Sequence, residues 1–597
     1  MNIINNKIKL PSPAKVCKDV NVMVAGQGGD GSLTIISLLS QALRNRGLDL
    51  YQTSNIASRI KGGHAAAILR ASQVQHGGLG DNLDVLVAFD EEAIVNAGPT
   101  MGPQGIVIYD LSRGPLPVNC LNDDVVVLAV PFSRFAVRDL RRDLFKNGIG
   151  FGLVARALGI DDTEAADCMK KRFKRLSKDA LNANLHALSL GFEVADEFGI
   201  KVGKNLIDLP KGEKSERLSI TGNQATAMGF LAAGGRFFAG YPITPATEIM
   251  ETLSRHSSKL GAVVIQAEDE LSAINQAIGA SLTGARAMTA SSSPGIALMQ
   301  ESISHCGSAE IPLVVVNCQR AGPSTGMPTK TEQSDLGMLT QGGSGDFPRV
   351  VLYPGNAQEC FNIAALATNI SQIAQIPVYI ALDRSLAQNT ATVAPFDLDS
   401  VELDKGKLLD QAALEKIDTY QRYAITDDGI SPWAVPGMPG GMNLVTGNER
   451  NEWGQVSTEP ANRVIMMDKR ARKIDAILDL LPGAVENGDE NADIGLIGTG
   501  MESGVMCEAQ EKLEEQGLKT LIHRPLTLWP VLDDTIDFVK KCSKVYVIEH
   551  NESGQLERLL KGAGCPPETL RGIRKYDGLP FRPSELADRI ITQEAMA

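Results

Sequence analysis

Two carboxylates separated by a single residue, Glu268 and Glu270, stand at the head of the segment QAEDELSAINQAIGAS. Glu270 shares a helical face with Ile274 and Ala277, so its carboxyl would lie against apolar surface, where burial disfavours the charged form and favours a protonated, hydrogen-bond-donating acid. The plainer alternative for either glutamate is a carboxylate at a helix N-terminus, favoured by the helix dipole. A second stretch, Gly240-Tyr241-Pro242-Ile243-Thr244-Pro245, follows the apolar run FFA. Its prolines fix φ and disfavour helix at Tyr241 and Thr244, which leaves Thr244 extended with its hydroxyl held above a strand-to-helix elbow. A third stretch is glycine-rich. Gly26, Gly28 and Gly31, with Gly29 among them, satisfy G-x-G-x-x-G in GQGGDGS. Such a turn presents free N–H groups and a helix dipole to an anion, and glycine lets the anion approach closely. Downstream, Arg59 and Lys61 in SRIKGGH are cations able to neutralise a phosphate.

These residues need elements to hold them, and the hydrophobic pattern supplies α/β domains. The run DVNVMVA reads as a strand entering the glycine turn, and Leu33, Ile36, Leu39 and Leu43 mark the helix after it. Further strands are expected over 84–89, 105–109 and 125–130, with 135–200 mostly helical and 201–216 a charged, Gly/Pro-punctuated linker. A second domain over 217–390 alternates strands (262–266, 285–289, 312–317, 349–353, 377–382) with helix-length segments, the pattern of a parallel, doubly wound sheet. Thr221 or Asn223 would cap its first helix. Ligands of such sheets sit beyond the carboxyl ends of the strands, where YPITP, QAEDE, TASSSPG and NCQRAGP all fall. Residues 391–490 show little periodicity and read as an extended connecting region. A last α/β domain is expected over 491–597.

The chain has 597 residues, 43% hydrophobic, enough for three or four domains. A net charge of −13 argues against nucleic acid as a partner. Nine scattered cysteines without any C-x-x-C pair argue against a disulfide scaffold, a zinc ribbon or a cluster-binding motif in this chain. No run of roughly eighteen apolar residues appears, so no membrane span and a cytoplasmic location are expected.

The ordered motifs GYPITPATEIM, VIQAEDELSAINQAIGAS, TASSSPGIALM and VVVNCQRAGPSTGMPTKTEQSDL closely resemble the alpha chain of the 2-oxoacid:ferredoxin oxidoreductases. GQGGDGS and SRIKGGH resemble the gamma domain of the same family, and the C-terminal RPL and EHNESGQ resemble its transketolase C-terminal-like domain. The resemblance implies a Rossmann-like gamma domain (1–216), a transketolase-like domain of the thiamine-diphosphate pyrimidine type (217–390), the connecting region, and a C-terminal domain (491–597) for packing and subunit contact. It implies oxidative decarboxylation of a 2-oxoacid with coenzyme A to an acyl-CoA, CO₂ and reduced ferredoxin. Glu270, with Glu268 as fallback, would be the acid at N1′ of the cofactor's aminopyrimidine, and Tyr241, Pro242 and Ile243 would line the cofactor. Thr244 and Arg320 match the positions that bind the substrate carboxylate, a role suited to the planar guanidinium. Lys330 would meet the distal carboxylate of a dicarboxylic substrate or stand as a solvated loop lysine. Gly26, Gly28, Gly29, Gly31, Arg59 and Lys61 would serve coenzyme A. In the family a separate beta chain supplies thiamine diphosphate, Mg²⁺ and a 4Fe-4S cluster, so the expected assembly is a dimer of alpha-beta heterodimers. No metal ligand set is expected in this chain. The fused gamma-then-alpha order favours 2-oxoglutarate over pyruvate or a branched-chain 2-oxoacid. Two other readings compete: a nucleotide-binding oxidoreductase that uses the glycine turn for NAD, and a non-catalytic scaffold.

Overall fold

The computed structural model describes residues 14–56, 63–210 and 212–596. The chain forms two compact units: residues 1–219 with 389–394, and residues 220–388 with 395–597.

The first unit is built on one sheet. Its strands are β1 (Asp19–Gln27), β2 (Asp49–Ile56), β3 (His64–Ser72), β4 (Leu83–Ala88), β5 (Met101–Asp110) and β6 (Val126–Val130), and α1 (Ser32–Asn45) follows β1. They lie in the order β6-β5-β4-β1-β3-β2, and the strand Thr390–Val393 then pairs antiparallel to β2. β1, β4, β5 and β6 run parallel, and every residue of β4 is buried. A strand covered on both faces has no polar face to show, which is why these segments read as continuous apolar runs. Helices follow as expected, among them α2 (Lys146–Ala157) and the 20-residue helix Lys178–Glu197. The segment read as a linker carries a short strand, Ile207–Asp208, paired with Lys15–Val16.

The second unit opens with α3 (Gly222–Ala232). Thr221 caps it in a capping box with Gln224, while Asn223 donates to the carbonyl of Pro245 at 2.8 Å. There follow β7 (Phe237–Gly240), β8 (Val263–Gln266), α4 (Glu270–Leu282), β9 (Ala287–Ser291), α5 (Ser293–Ala309), β10 (Leu313–Gln319), β11 (Val350–Leu352) and β12 (Pro377–Asp383). The region between 391 and 490, read as extended, contains the 16-residue helix α6 (Pro460–Asp475). Its inner face is charged rather than apolar: Lys469 and Lys473 are buried against the carboxylate of Glu310. Hydrophobic periodicity cannot reveal such a helix.

The C-terminal elements are β13 (Ala484–Gly488), β14 (Ile494–Ile497), α7 (Glu502–Glu515), β15 (Thr520–Pro525), β16 (Thr527–Trp529), β17 (Lys544–Glu549), α8 (Gln555–Gly562) and β18 (Leu570–Arg574). The larger sheet runs β8-β7-β9-β10-β12-β11-β16, parallel except for β16. The smaller runs β13-β15-β14-β17-β18, parallel except for β13. One apolar cluster joins them: Ile303, Leu313 and Tyr379 pack in the same core as Ile497, Val545 and Leu560. Among the described residues no helix is long and apolar enough to cross a membrane.

Candidate active site

The carboxyl ends of β7, β9 and β10 bring three of the sequence-selected stretches together. Glu270 is the first residue of α4 and is only 7% exposed, whereas Glu268, two residues earlier, is exposed. The cap of α4 is neither of them: Asp269 accepts the N–H of Ser272 at 2.7 Å. The dipole-carboxylate alternative therefore belongs to Asp269, and Glu270 is free of that duty. Its side chain lies against Gly295 in the first turn of α5. A Cβ at 295 would stand 2.7 Å from Glu270 Cγ and 2.8 Å from Oε1. Ser291 Oγ, which that Cβ would also meet, is buried without a hydrogen-bond partner, as are the hydroxyls of Thr289 and Ser292 in the same segment of chain. Buried hydroxyls are ordinarily satisfied, so an orphan hydroxyl at the contact of Gly295 with a buried carboxyl marks a place for a polar ligand.

Arg320 follows β10 directly and is 5% exposed. One Nη donates to the carbonyl of Thr244 at 2.7 Å, while Nε is buried without a partner. Thr244 and Arg320 thus meet through the threonine backbone. Burial lowers the pKa of the guanidinium, and the charges of Asp335 and Glu270 oppose that shift; an arginine remains a cation under such conditions. Tyr241 is 40% exposed, and Pro242, Ile243 and Thr244 are half-buried along the turn, whose Thr244–Pro245 peptide is cis. Lys330 is half-buried, and its ammonium makes no hydrogen bond or ion pair among the described residues. Its loop is closed on itself, Ala321 N donating to Lys330 O at 3.2 Å and Met327 N to Ala321 O at 2.8 Å.

Sequence reasoning missed one group. Asp335, within the motif TEQSDL, is buried and accepts Asn317 Nδ2 at 2.8 Å. Burial raises its carboxyl pKa, against the lowering effect of its hydrogen bonds and of the Arg320 charge. Only its place in a polar stretch directly after Arg320 could have pointed to it.

In the first unit, Gly29 and Gly31 take positive φ (105° and 89°), and Gly31 heads α1 without a side-chain cap. The turn carries its own carboxylate: Asp30 accepts Gln27 N at 2.9 Å, Lys146 Nζ at 2.8 Å and Arg113 Nη2 at 3.3 Å. Gly26 faces Phe89, and Gly28 donates its N–H to the carbonyl of Gly63 at 2.8 Å. Arg59 and Lys61 lie outside the described residues. The NAD reading fails on topology. Antiparallel β3 lies between β1 and β2, so the crevice between the first two parallel strands that a dinucleotide fold requires does not exist here. Asp49 at the start of β2 is engaged by Thr392 Oγ1 at 2.8 Å and by Arg217.

A parallel sheet with a buried helix-head glutamate, orphaned hydroxyls and a half-partnered arginine at its carboxyl end is the arrangement of an α/β fold with polar groups set for a ligand. Residues 228–469 match the family described as pyruvate flavodoxin/ferredoxin oxidoreductase, thiamine diphosphate-binding, and residues 21–194 match pyruvate ferredoxin/flavodoxin oxidoreductase. The chain is 30% identical to 2-oxoacid:ferredoxin oxidoreductase 2, subunit alpha, of Aeropyrum pernix, over 96% of this chain and 97% of that one. It is 30% identical to the 2-oxoglutarate oxidoreductase subunit KorA of Mycobacterium tuberculosis, over 96% and 90%. Among solved structures it superposes on 2-oxoglutarate:ferredoxin oxidoreductase from Magnetococcus marinus, with 2-oxoglutarate, coenzyme A and succinyl-CoA bound, at a TM-score of 0.90 and 33% identity, covering 97% of this chain and 100% of that one. The chain belongs to the alpha-subunit family of the 2-oxoacid:ferredoxin oxidoreductases. It is an oxidoreductase chain that acts on the oxo group of its donor with ferredoxin as acceptor, and its relatives are named as one subunit of several.

Proposed function

We propose that the chain, assembled with a beta subunit, carries out the oxidative decarboxylation of 2-oxoglutarate, coenzyme A taking the acyl group and ferredoxin the two electrons. The observation that carries this reading is Glu270, a buried carboxyl at the head of α4, seated on a glycine that the unpartnered Ser291 hydroxyl also approaches. These groups fit the aminopyrimidine of thiamine diphosphate, which when bound supplies the electron sink for loss of CO₂. Glu270 would hydrogen-bond to the aminopyrimidine N1′, and the close approach of Gly295 limits where its carboxyl can lie. Arg320 would take the 2-oxoacid carboxylate with the edge that Thr244 leaves open, and its burial strengthens the pairing by excluding water. Lys330 would meet the distal carboxylate of the dicarboxylic substrate. The first unit would bind coenzyme A with its glycine turn, Arg59 and Lys61, and the beta chain would hold the diphosphate, its Mg²⁺ and a 4Fe-4S cluster. The four-domain division and the dimer of heterodimers are part of the same proposal. Pyruvate as donor stays as the second reading, since both matching family descriptions name it.

The test is co-expression with the beta chain and an anaerobic assay of 2-oxoacid- and CoA-dependent reduction of a low-potential dye. Glu270→Gln should assemble normally and lose about 10²-fold or more in kcat, the range for a positioned acid. Glu268→Gln should stay near wild type. A reversal of the two would move the role to Glu268, and an active Glu270→Gln complex would remove the carboxyl from the mechanism.

A further inference from the structure

The motif EHNESGQ ends β17 and opens α8, on the smaller sheet, and none of its residues has a role above. The structure shows what it holds. Gln333 N donates to His550 O at 2.7 Å, and His550 N donates to Gln333 Oε1 at 3.2 Å. Asn551 Nδ2 donates to Gln333 O at 3.0 Å, and Gln555 Nε2 to Ser334 O at 2.6 Å. Gly337 N in turn donates to Gln555 Oε1 at 2.9 Å. Four backbone groups of the segment, the N–H and C=O of Gln333, the C=O of Ser334 and the N–H of Gly337, thus find their partners in residues 550–555. Asn551 is itself fixed, donating to Glu549 Oε2 at 2.7 Å and accepting Gln555 N at 3.1 Å. A buried backbone group without a partner costs free energy comparable to a lost hydrogen bond, so this clamp dictates the path of the segment.

The other side of the same segment grips the arginine loop at both flanks. Asp335 N donates to Gln319 Oε1 at 3.0 Å, immediately before Arg320. Glu332 Oε2 accepts Gly322 N at 2.7 Å, two residues after it. Asp335 also holds Asn317, in β10, through its carboxyl. Residues 332–337 therefore form a strap with the C-terminal turn on one side and the setting of Arg320 on the other.

We propose that Asn551 and Gln555 are positioning residues for the reaction, fixing through the strap 332–337 the guanidinium that receives the 2-oxoacid carboxylate. The inference rests on the role given to Arg320 above and adds the device that sets its geometry. It gives the C-terminal turn a part in substrate binding rather than packing alone. A shift of Arg320 weakens a planar, directional contact that holds the 2-oxoacid in the bound ground state, so KM for the 2-oxoacid carries the effect.

The test uses Gln555→Met, which keeps length and volume and removes both amide hydrogen bonds, and Asn551→Leu, in the co-expressed complex. Each should raise KM for the 2-oxoacid about tenfold, leave kcat and KM for coenzyme A within about twofold, and speed amide hydrogen exchange at 333–337 while β10 stays protected. Gln555→Glu retains the acceptor for Gly337 N and should recover part of the loss. Equal changes in both KM values, a lowered Tm with unchanged kinetics, or unchanged exchange across the strap would each overturn the proposal. Arg320→Lys separates the two claims. If it leaves the oxoacid KM unchanged, the substrate-binding reading is wrong; if it raises that KM while Gln555→Met does not, only the strap is wrong.

Discussion

The seat of Glu270 on Gly295 allows a test that leaves every proposed functional group in place. Gly295→Ala adds one methyl group. Its Cβ would lie 2.0 Å from Ser291 Oγ, 2.7 Å from Glu270 Cγ and 2.8 Å from Glu270 Oε1, where ordinary contact begins at 3.4 Å. The Ser291 hydroxyl can rotate away. The glutamate is hemmed in by buried neighbours, so its Cγ must retreat by about 0.7 Å and carry the carboxyl with it. Misplacement of a reacting group by about 1 Å costs on the order of 10²-fold in rate, or about 2.7 kcal/mol of barrier. Overpacking adds roughly 1–3 kcal/mol of instability, so kcat is read at a temperature where the complex remains folded. Two controls isolate the cause. Gly279→Ala, on α4, places its Cβ where nothing lies within 4 Å and should be silent. Adding Ser291→Ala to Gly295→Ala removes the hydroxyl clash and should not restore the rate, because the glutamate clash remains. Wild-type kcat in a folded Gly295→Ala complex would refute the reasoning, since a carboxyl that tolerates that shift is not positioning a proton.

Lys330→Met should raise KM for 2-oxoglutarate about tenfold while leaving any turnover of pyruvate unchanged; equal effects on both would remove the lysine from substrate selection. The buried cluster on α6 gives a prediction about pH. Burial and the neighbouring Lys469 hold the ammonium of Lys473 down to about 7, despite Glu310. Between that value and the usual 10.5, the unfolded chain binds the proton more readily than the folded one, so stability from this group rises with pH, by at most about 1.4 kcal/mol per pH unit. Lys473→Met should therefore flatten the gain in Tm between pH 7 and 9. Parallel curves for variant and wild type would show that the lysine keeps an ordinary pKa.

Periodicity made the parallel central strands legible, because strands such as β4, β10 and β12 are buried on two faces and spell their length in apolar residues, whereas antiparallel β3 (His64–Ser72) and the strand Thr390–Val393 went unread. The same rule hid α6, whose buried face is Lys469 and Lys473 rather than leucine. The sequence put Glu270 ahead of Glu268, and the fold adds that Glu270 is buried at the start of α4 while Glu268 is exposed. The glycine turn reads as an anion-binding turn, and in the fold its own Asp30 pairs with Lys146 and Arg113 across 116 and 83 residues, which no local pattern encodes. Asp335 and the strap escaped for a similar reason. Asp335 is held by Asn317 and Gln319 on β10, the strap's other partners lie in a turn more than 200 residues away in sequence, and isolated Asn and Gln residues carry no signature of what they will hold.

The strand Thr390–Val393 bears on how such a polypeptide could be divided. Having finished β12, the chain returns to the first unit's sheet for four residues, where Leu50 N donates to Thr392 Oγ1 at 2.9 Å and Gln75 Nε2 to Thr392 O at 2.9 Å. A fragment cut near residue 219 would lose that strand and leave the edge of β2 bare, an invitation to pair with other copies. Separating the two units into independent chains would thus take more than one cut. A stable N-terminal fragment would have to bring its own replacement strand, fused after residue 219, or blunt the β2 edge with charge.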